Sequence, residues 1–386
     1  MRRSIIILML FACLGTLQAQ SDTNRLRLIL AGDIMGHSTL IESGRQSNGT
    51  YDFNPCFQYV KDYVQSADLA IANLEVTLAG KPYSSYPYFS SPDELAIAAK
   101  NAGFDILTTA NNHCLDKGKH GLERTITALD SLGIPHLGTY VDAASHDMQH
   151  PLMVEKNGIR IALLCYTYGC NGFYPTRPNV VNFIDTNEMR RDIKRAHARN
   201  ADFVITIIHW GIEYETHCNH EQANIAKWLM NNGSDIVIGG HPHVVQNMTA
   251  DINPNNERYP EIVVYSMGNL ISNQRDINTD GGIMIELELA KNNGHTTVQE
   301  CSYMPYWVNR YTQNKRRYYR IVPAYDALDN PNAYKISKEA QRPLKTFVTN
   351  LEKRIADSTP KTIPQEKPFH WFTRRDFYKN GKPINQ

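Results

Sequence analysis

Two histidines one residue apart, His241 and His243, follow directly on the segment Asp235-Ile-Val-Ile-Gly-Gly240. The β-branched run Ile236 to Ile238 reads as a buried strand, and Gly239-Gly240 let the backbone crowd close before the two imidazoles leave it. Two imidazoles on a rigid strand end suit a transition-metal site, although a solitary His-x-His is better explained by loop histidines bonded to backbone. Four further junctions carry ligand-type residues. Leu28 to Asp33 ends in a carboxylate with His37 a turn later, and Ala67 to Glu75 ends in Asn73 and Glu75. Asp105 to His113 delivers Asn111, Asn112 and His113 with Asp116 just beyond, and Phe203 to His209 delivers a histidine before Trp210-Gly211. Taken singly, Asp33 could cap a helix, Asn111 and Asn112 could be turn residues, and His209 could be a satisfied core histidine. Five together point to an α/β sheet, which gathers its strand ends along one edge where ligands bind.

The elements that must position these residues alternate. Strands are expected at Leu26–Ala31, Leu69–Asn73, Ile106–Thr109, Arg160–Tyr166, Phe203–Ile208, Ile236–Ile238, Ile262–Tyr265 and Ile283–Leu289. Helices intervene: Ser91-Pro92-Asp93-Glu94 opens one with proline at its first position, and Thr186–Ala198 reads as another. Alternation through residue 240 predicts βαβ units, whereas turn signals at Asp280-Gly-Gly282 and Asn292-Asn-Gly294 predict antiparallel additions. Ser337–Ala356 has helical spacing of Ala340, Leu344, Phe347, Leu351 and Ile355, a stripe expected to pack on the domain. The tail that follows is proline-containing, with Phe369-His-Trp-Phe372 and Arg374-Arg375; it reads as packed along the surface, with a membrane- or polymer-binding tail as the alternative.

The order of these blocks resembles the metallo-dependent phosphatase superfamily, and more closely its poly-gamma-glutamate capsule biosynthesis (CapA-type) branch. The resemblance rests on Gly32-Asp-Ile-Met35, Asn73-Leu-Glu75, Ala110-Asn-Asn-His-x-x-Asp116, His209-Trp-Gly-Ile-Glu-Tyr214, Gly240-His-Pro-His-Val-Val-Gln246 and Tyr265-Ser-Met-Gly-Asn269, spanning about Arg27 to Pro323. It implies an α/β (α+β) fold, a four-layer αββα sandwich of two mixed β-sheets with metals at the sheet edges. It also implies one or two divalent ions (Mn, Zn, Fe or Mg) on Asp33, Glu75, Asn112, His209, His241 and His243, with Glu75 as bridge. His113 would then serve as proton donor or charge stabiliser, oriented by Asp116. His37, Asn73, Trp210, Glu213, Tyr214, Tyr265 and Asn269 would shape the substrate pocket, with core packing the alternative for Trp210 and Tyr214. Met35 stands where the superfamily places a histidine, and a thioether suits a hard, water-activating site poorly; His37 is the candidate replacement.

Function follows from the same resemblance. A metal-dependent hydrolase or transferase is expected, acting on an anionic polymer or a gamma-glutamyl or peptidoglycan-derived peptide, with capsule-assembly proteins as further partners. The alternative is a non-catalytic capsule-assembly or export component that binds polymer carboxylates at the metal site. A net charge of +1 leaves no basic footprint, so nucleic acid is not an expected partner. Arg2-Arg3, the apolar stretch Ser4–Leu17 and Leu17-Gln-Ala19 read as a signal peptide over 1–19, which places the protein in the periplasm or at the cell surface with no membrane span after its removal. A lipoprotein box at Leu10-Phe-Ala-Cys13 is the alternative. The expected division is a metallophosphatase-like domain over 25–325 and a helix and tail over 326–386 packed on it. Six cysteines remain after the signal, and Cys165 with Cys170 could close a small loop. His217-Cys-Asn-His220 reads as a loop and helix cap rather than a zinc site.

Overall fold

The computed structural model describes residues 24–251, 261–358, 371–373, 378–379 and 382–383. The expected signal segment 1–19, Cys13, Phe369 and Arg374-Arg375 lie outside the described residues.

Period-two alternation builds the two sheets. Along the strand Asn24–Ile34, Leu26, Leu28 and Leu30 enter one core cluster while Ile29 and Ala31 enter another on the opposite face. This strand pairs in parallel with Leu69–Leu74, which continues in parallel to Ile106–Thr108 and His136–Leu137. On its other side it pairs antiparallel with Gly281–Asn292, followed by His295–Gln313 and Arg316–Pro323. In the second sheet, Ile159–Thr167, Phe203–His209, Ile236–Gly240 and Glu261–Val264 run parallel, flanked by antiparallel edge strands Leu152–Lys156 and Met248–Asp251. Phe203, Ile205 and Ile207 face the first sheet, whereas Val204 and Ile208 face outward. Helices cover both outer faces. Leu40, Phe57, Tyr63, Leu95 and Ala99 pack on the first sheet, and Met189, Ile193, Leu229 and Met230 pack on the second. The result is a four-layer αββα sandwich of two mixed sheets.

The helix Thr186–Ala198 starts where Asp185 accepts from the amides of Asn187 and Glu188, and Asn219 caps His220–Asn231 in a box with Gln222. The C-terminal helix, Lys338–Ser358, inserts Leu344, Phe347, Val348 and Leu351 into the cluster between the sheets. It therefore belongs to the central core and closes one end of it. Leu351 is fully buried, and Leu351→Ala is expected to cost about 2–5 kcal/mol by lost transfer energy plus cavity. A lower urea midpoint at unchanged slope would show it.

The strand His295–Gln313 was absent from the expected elements because Pro305 interrupts its pattern. Pro305 is tolerated by position. Pairing with Arg316–Pro323 begins at Tyr306, and pairing with Trp371–Thr373 ends at Tyr303, so on that side no partner among the described residues meets the missing N–H.

Candidate metal centre

The five strand tips converge on one rim of the sandwich. Asp33 lies in register with Asn73 on one side and Asn269 on the other, and its amide donates to Gly268 O at 3.2 Å. Gly32 permits that approach, since a Cβ there would sit 1.8 Å from Gly268 O. Gly239 plays the same part below the histidine pair, where a Cβ would meet Tyr265 O at 2.0 Å. Beyond it, His241 and His243 hold φ of +95° and +58° while 3% and 1% exposed. Such backbone costs about 1–3 kcal/mol per residue and persists where the surroundings over-determine it, characteristically at functional sites.

Two groups of potential ligand atoms result, each within 4.8 Å: Asp33 with Glu75 and His209, and Glu75 with His241 and His243. Glu75 is common to both. Among the described residues, its two carboxylate oxygens and His241 Nδ1 are buried with no hydrogen-bond partner. Glu75 Oε1 lies 3.4 Å from His209 Nε2, but that nitrogen makes its hydrogen bond to Asn112 Oδ1 at 2.8 Å. Asn73 Nδ2 donates to Asp33 Oδ1 at 2.8 Å, so Asn73 orients a carboxylate rather than opening toward substrate. Asn111, reaching Asn73 Oδ1 (3.2 Å) and Leu74 O (2.8 Å), stiffens the loop that carries Asn112 and His113.

Burial sets the charges. It pushes the Glu75 carboxyl well above its ordinary range, and Asp33 adds to the effect. Burial also opposes ionisation of Asp33, yet the hydrogen bond to His243 and electrostatic attraction to the His209 and His243 rings hold Asp33 below the usual carboxylate range. Desolvation depresses His209 to about 4 and His241 well below the ordinary histidine value, so both present neutral lone pairs at pH 7. His243 is pushed up: burial works against it, but the carboxylates of Glu75 and Asp33 outweigh that.

Beside this cluster stands a second unit. His113 Nδ1 meets Asp116 Oδ2 at 2.7 Å, Phe89 packs edge-on to its ring at 4.7 Å, and the Phe89 amide donates to the same Asp116 oxygen. Burial pushes the Asp116 carboxyl up, offset in part by His113. His113 belongs to neither ligand group.

The family model described as bacterial capsule synthesis protein PGA_cap matches residues 27–274, a span containing every residue of both groups and the His113–Asp116 pair. The chain belongs to this capsule-synthesis family. The capsule biosynthesis protein CapA of Bacillus anthracis is 26% identical over 283 residues, covering 70% of this chain and 66% of that protein. The PGA biosynthesis protein CapA of Bacillus subtilis is 25% identical over 267 residues, covering 68% and 67%. The chain thus spans about two thirds of the length of these relatives. Among solved structures, the NAD nucleotidase of Haemophilus influenzae aligns over 86% of this chain and 61% of its own at a TM-score of 0.48 and 12% identity.

In this member of the capsule-synthesis family the remaining candidates divide. Of the pocket candidates, Trp210 takes its core-packing alternative and Tyr265 joins it: both rings lie in the core under the outer helices, stacked at 5.9 Å with Trp210 Nε1 donating to Tyr265 O. Their part is packing. Tyr214 is 43% exposed, its ring 6.3 Å from that of His243. Glu213 is half-buried beside it and acts electrostatically on Glu75 and His243. Asn269 is buried and donates to Thr279 O (2.9 Å) and Gln274 Oε1 (2.7 Å), which ties down the loop after its strand. Met35 packs in the core under the helices, and His37 lies outside both ligand groups, its Nδ1 accepting from the Asn273 amide at 3.2 Å.

Two contributors escaped the sequence reading. Tyr168 covers the centre with its ring 4.6 Å from His241, its hydroxyl pushed up to about 12 by burial and nearby carboxylates. Asn171 reaches Asn112 (3.2 Å) and His113 (3.4 Å). Neither sits in a motif block; only the strand end at Thr167 pointed to that loop. The six described cysteines are free, and Cys170 approaches Cys114, Sγ to Sγ 3.5 Å, rather than Cys165. Among the described residues no helix is long and apolar enough to cross a membrane.

Proposed function

We propose that this chain is an exported, divalent-metal-dependent hydrolase or transferase that acts in the cell envelope on an anionic polymer or gamma-glutamyl peptide. One observation carries the reading: two ligand groups share a buried Glu75 whose oxygens have no hydrogen-bond partner. A buried acceptor without a donor is costly, and a cation removes that cost. The donor set of carboxylates, neutral imidazoles and the Asn112 amide oxygen contains no thiolate and fits Mn, Zn, Fe or Mg. Asp33, Asn112 and His209 would hold one ion, His241 and His243 the other, with Glu75 between. When bound, such ions generate a nucleophilic hydroxide near neutral pH and polarise an acyl or phosphoryl oxygen.

The chain's own residues complete the chemistry. Asp116 accepts from His113 Nδ1–H and fixes the tautomer, so proton exchange falls to Nε2. Protonated there, His113 delivers a proton to the departing nitrogen or oxygen, and Asp116 stabilises the imidazolium. Tyr168 lies against His241 at the edge of the cluster, its ring 4.6 Å away. The names of the two CapA relatives support a capsule polymer as substrate, and the basic Arg2-Arg3 followed by an apolar run supports export.

Elemental analysis of purified protein should find one or two equivalents of divalent metal per chain, together with metal-dependent hydrolysis of a gamma-glutamyl peptide or a phosphodiester. The His241→Ala, His243→Ala double variant should lose metal while keeping its fold, because both side chains project from a loop. Full occupancy in that variant would overturn the site. Occupied wild type without turnover would instead mark a polymer-binding assembly component.

A further inference from the structure

Next to the metal centre, just past the matched family span, Arg275 is half-buried, with its Nε and Nη2 shielded from solvent. Among the described residues its Nε and Nη2 meet no hydrogen-bond acceptor in good geometry, its Cζ lies 5.9 Å from the centroid of the Tyr319 ring, and the Tyr319 side chain lends it hydrogen-bond support. Arg310 stands within repulsive reach. Asp280, the acid within attractive reach, has its Oδ2 engaged by Trp307 Nε1 at 2.7 Å. Two arginines close together with one unsatisfied guanidinium edge is an unfavourable arrangement for an empty site and a favourable one for an oxyanion.

The unsatisfied atoms are the informative part. Nε and Nη2 share one edge of a guanidinium and match the two oxygens of a carboxylate. Arg27 shows that mode within this protein, holding Glu286 through Nε at 2.9 Å and Nη2 at 3.0 Å. Arg275 has the same edge unpaired among the described residues.

Hydrogen bonds around this edge lead to His37, beside the metal centre. Arg310 Nη1 donates to Asn273 Oδ1 (3.1 Å), the Tyr319 hydroxyl donates to the same oxygen (2.6 Å), and the Asn273 amide donates to His37 Nδ1 (3.2 Å). His37 lies within electrostatic reach of His243 and His113 as well as Arg275. Gln274, beside Arg275, donates to the Tyr214 hydroxyl at 3.3 Å, and the Tyr214 ring flanks His243. The loop from Asn273 to Arg275 is therefore fixed against the rim where the ligand groups meet.

We propose that Arg275, backed by Arg310, forms a carboxylate-binding subsite that holds a free carboxylate of the substrate polymer while the adjoining linkage lies at the metal centre. This rests on the polymer reading above, and it places substrate selection on residues that neither the motif blocks nor the ligand groups include.

The test is calorimetric binding of gamma-linked tetraglutamate to metal-loaded protein, read without turnover. Wild type should bind the free acid on the order of 10-fold or more tightly than the same peptide with its α-carboxylates amidated, because the amide cannot satisfy a charged bidentate edge. Arg275→Gln should bind the acid as weakly as wild type binds the amide, with metal content unchanged, and Arg275→Lys should fall between. Equal binding of acid and amide by wild type overturns the proposal even if Arg275→Gln fails to fold, and wild-type affinity for the acid in Arg275→Gln overturns it too. Arg275-dependent binding of inorganic phosphate but not of the peptide would assign a phosphoryl subsite and overturn the carboxylate one. Failure of the hydrolase reading would appear separately, as wild type lacking metal or turnover.

Discussion

His113→Ala is expected to lower turnover by about 10²–10⁴-fold, the usual worth of a positioned proton donor, while leaving metal content at the wild-type level. The two halves come from different observations. Metal should stay because His113 is in neither ligand group. Turnover should fall because its ring is held in orientation by Asp116 at Nδ1 (2.7 Å) and by Phe89 edge-on at 4.7 Å. Such constraint leaves Nε2 as the atom that exchanges a proton. Asp116→Asn should reduce turnover less, since the imidazole remains but loses the partner that stabilises its charged form. The assay is kcat on a gamma-glutamyl peptide or phosphodiester, with elemental analysis of the same preparation. Wild-type turnover in His113→Ala would remove the proton-donor role, and parallel loss of metal and activity would make His113 a ligand instead. Asn112→Ala should show that second pattern, because its Oδ1 meets His209 Nε2 at 2.8 Å.

The strand tips were legible because each coincides with a change of period: a run of buried apolar residues breaks into glycine, asparagine or a charge where the chain leaves the sheet. Asp33, Glu75, His209 and His241 all announce themselves that way, and the structure brings them together. Residues that act by crossing between elements were not legible. Trp210 directly follows His209 and shares its motif block, but alternation along the strand turns the two side chains to opposite faces, one to the centre and one to the outer core. Tyr168 and Asn171 reach the centre from a loop whose own sequence carries no ligand pattern. The pairing of Cys114 with Cys170 depends on which loops face one another, which spacing along the chain does not encode. Pro305 hid the longest strand because a proline argues against a central strand unless the third partner is known.

Glu75→Gln should remove metal binding and, in metal-free protein, raise stability at neutral pH. Both effects follow from one buried carboxyl. Glu75 is fully buried, joins both ligand groups, and is pushed well above its ordinary range by burial and by Asp33. In the unfolded chain it titrates near pH 4.3, so above about that pH the metal-free folded state retains a proton that the unfolded state has lost. Stability linked to Glu75 is therefore complete below about pH 4.3 and declines as pH rises through the folded value. Glutamine removes this loss, so the metal-free variant should unfold at a higher urea concentration than metal-free wild type at pH 7, by a margin that narrows toward pH 4. Added metal should reverse the order, since a ligand at 100 times its Kd stabilises the wild type by about 2.7 kcal/mol and the variant has lost the shared ligand. Metal titrations in buffers of different ionisation enthalpy should show at least one proton released by wild type, the one held on Glu75. Metal binding by Glu75→Gln with wild-type stoichiometry, or an unchanged pH dependence of metal-free stability, would rule out Glu75 as the buried carboxylate on which both ions depend.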